Sequence, residues 1–141
     1  MQYNFAPVDM QYYSLLERLE ILPHLENFLA SHEPKITQAF ENMIAKMESE
    51  AKTQWHTRFI QDMDCKQFIN MFEFTFCVIF AKDMARVSQK HDNKKLSSAA
   101  ALSMAIKMAN NPSNPTYVEQ LDRVVSICCN SILSAYRARS K

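Results

Sequence analysis

Four histidines, at 24, 32, 56 and 91, and four cysteines, at 65, 77, 128 and 129, are the side chains of this sequence best suited to hold a metal, shuttle a proton or attack an electrophile. Their spacing narrows the chemistry. No Glu-x-x-His occurs and no two histidines stand four apart, so the helical di-iron and zinc arrangements are not written here. The cysteines lack the paired spacing of a zinc site, and the adjacent Cys128 and Cys129 would serve one poorly. Reduced, buried thiols in a cytoplasmic protein are the expectation. The chain has no glycine at all, which removes phosphate-cradling loops, the dinucleotide fingerprint and the strained elbow that exposes a nucleophilic serine. These absences leave an enzyme as the less favoured reading, with Ser, Thr and Cys nucleophiles still open.

The elements that must position these residues are helices. With 141 residues, 48% apolar and 22% charged, the chain has the size and composition of one globular domain, 1–141, with residues 1–8 as an extended N-terminal segment. Apolar spacing is helical throughout, and no period-two stretch stands between turn residues. The expected fold is all-α, a single compact bundle of about six helices. Asp9 is the expected N-cap of the first helix, and Pro23 forces a break near Ile21. Pro34 suits the first turn of a helix buried through Ile36, Phe40, Met43, Ile44, Met47 and Ala51. The polar stretch from Ser49 to Thr53 reads as a bend, after which Trp55 and Phe59 continue an apolar face. Asp64 and Gln67 form a capping-box pattern before a long apolar run. Phe68, Phe72, Phe76 and Phe80 then recur every fourth residue and predict a central, largely buried helix. Asp92 and Asn93 interrupt it, and Leu96 to Met108 resumes as an alanine- and methionine-rich helix. Asn114 and Pro115 cap and open the last one, whose seam runs through Val118, Leu121, Val125, Cys128, Ile132 and Ala135.

Charge excludes some partners. Residues 1–70 carry six Lys/Arg and ten Asp/Glu and residues 71–141 carry ten and five, giving −4 and +5. That is mild for a nucleic-acid binder, and Lys82, Arg86 and Lys90, continued by Lys94 and Lys95, read as a solvated helix face. Met1 to Asp9 lacks a basic, apolar leader, and the longest apolar-rich run, Phe74 to Ala81, is far short of a membrane span. No membrane association is expected.

Pro34 followed by Phe40, then His91 about fifty residues later and Leu96 five beyond it, resembles the globin family. In that family a helix-starting proline precedes a phenylalanine that packs on haem, and a histidine on a later helix ligates the iron. The resemblance implies a globin-like fold with haem as cofactor, His91 as the metal ligand and Phe40 and Leu96 in the haem pocket. It places Gln61 as the distal donor to bound dioxygen, with Cys65, Phe68 and Ile69 lining an apolar distal wall and Lys90 or Lys94 pairing with propionates. Arg86, Val87, His91 and Leu96 are similar to the sensor-globin stretch around its haem histidine, and Leu121, Val125 and Tyr136 look like a globin's closing helix. The implied function is reversible binding or sensing of a diatomic gas. The Asp64 capping box starts a helix where a globin would already be inside one, so those two expectations exclude each other.

A second reading needs no cofactor: a haem-free helical interaction or regulatory module of the immunity, anti-activator or adaptor type. Nine methionines suit an adaptable apolar surface, and the coiled-coil-like last helix offers a homodimer seam through Val118, Leu121, Val125 and Ile132 or a face for another protein. A third reading comes from Arg86, four residues, then His91, which resembles the Arg-x4-His signature of HEPN ribonucleases.

Overall fold

The phenylalanine ladder fixes the axis of the molecule. Phe68, Phe72, Phe76 and Phe80 are all buried, at 0%, 0%, 2% and 6% exposure. The computed structural model describes residues 7–92 and 98–139, with side chains described outside 87–98. Its elements are α1 (Pro7–Arg18), α2 (Leu22–Ser31), α3 (Glu33–Glu50), α4 (Gln54–Gln61), α5 (Cys65–Asp92), α6 (Ser98–Asn110) and α7 (Pro115–Arg137). The protein is an all-α bundle. The ladder lies on α5, where no residue from Met71 to Ala85 is exposed because neighbours pack on several sides. Burying each ring contributes roughly 1.5–3 kcal/mol. An exposed ion pair contributes about 0–1 kcal/mol. Apolar packing, not surface charge, therefore sets the place of α5.

Around α5, helix α1 lies alongside with Tyr13 stacked on Phe74 at 5.0 Å, and α2 brings Phe28 onto Phe76 at 5.6 Å. Helix α3 packs on α7, α4 and α5. The small side chains Ala101 and Ala105, both fully buried, let α6 approach α2 closely. The buried stripe of α3 is Ile36, Phe40, Met43 and Met47, with Ile44 and Ala51 half-buried beside it.

Several expected boundaries move. Helix α1 starts at Pro7, so Pro7 and Val8 are helical rather than extended, and residues 1–6 lie outside the described residues. Proline at the first position has no amide to leave unsatisfied there. Asp9 is thus within the first turn instead of capping it, and its Oδ1 lies 2.8 Å from Lys82 Nζ. Seven helices, rather than six, are present among the described residues, because the chain extends at Ala51 (ψ 128°) and Thr53 (ψ 166°) and separates α4 from α3. Asp64 Oδ1 accepts the Lys66 amide at 2.8 Å and α5 starts at Cys65, the helix start expected from Asp64.

The connection between α1 and α2 shows how a glycine-free chain turns. Glu20 stands at φ 60°, in the left-handed region normally given to glycine. The Glu20 amide donates to Glu17 O (3.1 Å) and the Ile21 amide to Leu16 O (3.0 Å), the paired bonds of a Schellman motif. Leu16 and Ile21 are both fully buried, and their burial holds the turn in place.

Candidate functional site

The residues that converge on a cavity do so by helical repeat. On α5, Phe76, Phe80, Asp83 and Met84 share one face, and α6 adds Met104 and Met108 one turn apart. Thr116, Tyr117 and Gln120 come from the first turns of α7. Together they line a cleft of about 210 Å³. Its floor is Phe76, backed by Phe28, and Tyr117 meets Phe28 edge-on at 6.4 Å. Three methionines make its walls soft, since an unbranched thioether side chain repacks at little cost.

Two features hold the α7 side of the cleft. Asn114 Oδ1 accepts the Thr116 amide at 2.9 Å, with Pro115 as the first helical residue. His32 Nε2 donates to Pro112 O at 2.8 Å and ties the loop before α7 to the α2–α3 junction. A carbonyl only accepts, so that ring nitrogen carries the proton.

The rim is charged. Arg86 Nη2 lies 3.2 Å from Asp83 Oδ1, Arg123 Nη2 lies 3.6 Å from Asp83 Oδ2, and Gln120 Nε2 donates to the same Oδ2 at 3.4 Å. The Asp83 side chain is 29% exposed, against 74% for Arg86 and 57% for Arg123. Two guanidiniums therefore share one carboxylate and stay largely in solvent.

A second constellation, at the far end of α7, has closed its chemistry. His56 is fully buried; its Nδ1 accepts the Thr53 amide at 3.2 Å and lies 2.9 Å from Thr53 Oγ1, which in turn accepts the His56 amide at 3.2 Å. This is a capping box with histidine in place of the usual glutamate. The imidazole packs 4.7 Å from the Tyr136 ring, and Tyr136 Oη donates to Met47 O at 2.6 Å. Burial and the nearby Glu50 raise the phenol pKa and keep it protonated. Arg137 grips Glu50 with two bonds of 2.8 and 2.7 Å, and Arg139 lies over Trp55 at 5.2 Å. A hydroxyl beside an imidazole is here the start of α4. The spacing Thr-x-x-His ahead of an apolar run was the sequence signal for it.

Of the residues expected around a haem, Gln61, Cys65, Phe68 and Ile69 follow one another across the α4–α5 junction, where Phe40 meets Phe68. Phe40 and Phe68 are buried against each other with ring centres 5.3 Å apart. Gln61 is exposed at the end of α4, and Cys65 and Ile69 are half-buried. The His91 side chain and all of Leu96 lie outside the described residues, as do the side chains of Val87, Lys90 and Lys94. The backbone alone bears on the fit. Cys65, Phe68, Ile69 and His91 all belong to the single helix α5. From Phe68 to His91 that helix rises about 34 Å. A porphyrin needs its proximal and distal residues on opposite faces of one thin plate, so this set does not fit the group. Among the described residues, no three of His, Cys, Asp and Glu come together to hold a metal.

The expected seam of α7 is buried at Leu121, Cys128 and Ile132 but not at Ala135, which is exposed. Leu121 and Ile132 lie in the chain's own core at 0% and 5% exposure, and Val118 and Val125 are half-buried. The cysteines are free thiols; burial raises Cys77, helped by Glu73 and Glu26, and takes Cys128 up to about 11 despite a bond from Thr75. Neither is a ready nucleophile. No helix among the described residues is long and apolar enough to cross a membrane. Compared with family models, curated proteins and solved structures, the chain matches none.

Proposed function

We propose that the protein is a helical recognition module, of the regulatory or adaptor kind, whose cleft between α5, α6 and α7 receives an apolar side chain of a protein partner. The observation that carries this reading is the cleft itself: methionine and phenylalanine walls, about 210 Å³, under a polar rim. Pockets that enclose a whole small molecule run from roughly 300 to 1,000 Å³. This one has room for a side chain of leucine or phenylalanine size, with the remaining contact made outside it. Methionine-lined grooves suit such docking because they adapt to the side chain they receive.

Panning a random 16-residue peptide display library on the full chain tests the reading. Selected peptides should lose binding to Thr116→Trp, which plugs the mouth of the cleft from an exposed position, and keep it with Gln38→Trp on the outer face of α3. Peptides indifferent to Thr116→Trp, or a Soret band acquired on expression with haem and lost in His91→Ala, would overturn it.

A further inference from the structure

The cleft is one end of a longer stripe on α7. Thr116, Gln120, Arg123 and Ile127 follow at spacings of four, three and four, so they lie on one face of the helix. Thr116 and Gln120 border the cleft, Arg123 stands at its rim, and Ile127 is 47% exposed. On the described part of α7 it is the one large apolar side chain left so open. Gln120 and Ile127 are seven residues apart, a rise of about 10 Å. From the cleft past Arg123 to Ile127 the surface reads apolar, cationic, apolar.

The sign of the middle position follows from the ion pairs. Asp83 is already compensated by Arg86 and Arg123, so a cation arriving there would have to displace a guanidinium. An anion meets two cations for one carboxylate. Resting on the recognition reading above, we infer that the partner presents an amphipathic helix laid along α7. One bulky apolar residue enters the cleft, an aspartate or glutamate four residues on meets Arg86 and Arg123, and a second apolar residue at the seventh position covers Ile127. Residues at i, i+4 and i+7 lie on one face of a helix and span the same 10 Å or so as the stripe they would cover.

The probes are helical 18-residue alanine/glutamine peptides with leucine at i and i+7 and glutamate, glutamine or lysine at i+4. A fourth peptide carries alanine at i+7. Titration of the full chain labelled with 13C in its methionine methyls reads the cleft directly through Met84, Met104 and Met108. The glutamate peptide should bind about threefold more tightly than the glutamine one, with lysine weaker again, the range of an exposed ion pair. Arg86→Glu together with Arg123→Glu should reverse the order of the glutamate and lysine peptides, and Arg123→Gln alone should flatten it. Ile127→Ser should reduce the two-leucine peptide to the affinity of the one-leucine peptide. Equal affinities for all three charges, with the methionine methyls still shifting, would sink the acidic-helix inference and leave the recognition reading standing. No methyl shift with any peptide would remove both.

Discussion

At its C-terminal end α7 buries Tyr136 completely, in contact with His56 and Phe59 and bonded to Met47, and fastens Arg137 to Glu50. At its N-terminal end, five turns away, the same helix borders the methionine-walled cleft with Tyr117 half-buried and Thr116 exposed. One end uses rigid rings and bonded polar atoms, and the other uses flexible thioethers beside partly solvated charges. A tyrosine, a histidine or an arginine is thus no guide to function by type alone. What distinguishes the two ends is whether the packing still has room for another molecule.

The contrast can be broken by substitution, most strongly at the closed end. Tyr136→Ala removes a fully buried ring and should cost about 3–5 kcal/mol of unfolding free energy. Urea denaturation followed by circular dichroism measures it, and a loss below about 1 kcal/mol would erase the distinction. His56→Ala should cost about 2 kcal/mol in the same assay, as a lost helix cap and a buried cavity combine. At the open end Met104→Ala should change stability by less than about 1 kcal/mol, since its side chain is only half-buried. It should nonetheless weaken the cleft-binding peptides.

The smallest effects are electrostatic and differ in sign. The side-chain bonds from Arg137 hold Glu50 below the ordinary carboxylate range. A depressed folded value means that this tie stabilises above the unfolded value and is lost as pH falls from about 4.3 through the lower folded one. The stability gap between wild type and Arg137→Gln should therefore close in that acid window. Glu73 is the opposite case: burial, with Glu26 and Glu33 nearby, raises its pKa. Its charge opposes folding at neutral pH, and Glu73→Gln should stabilise slightly there. That gain should vanish below about pH 4, where the carboxyl is neutral in both states. Thermal unfolding scans across pH 3 to 7 read both.

The phenylalanine ladder, the proline-marked starts of α2, α3 and α7, the Asn114 cap and the start of α5 after Asp64 were all legible in residue spacing, because each depends on contacts within a few turns. The separate α4 was half visible as a polar bend, but histidine is an unusual third member of a capping box. The cleft was invisible, since Met84, Met104 and Tyr117 are brought together only when three helices pack. The haem expectation required a change of direction between Cys65 and His91. No proline or glycine interrupts that stretch, and the same run of residues had already read as one central helix. Matching a few residues by distance along the chain carries no information about whether the chain reverses between them.

The left-handed Glu20 has a consequence for how the bundle opens. Its two amide bonds are flanked by Leu16 and Ile21, which are both sealed in the core, so this joint cannot swing like a hinge without withdrawing both side chains. Hydrogen exchange at Glu20 and Ile21 should therefore be as slow as in the helices either side, and a protease should find no nick there. Helix α1 then detaches only in a step that also loosens α2, making residues 7–31 a single cooperative unit.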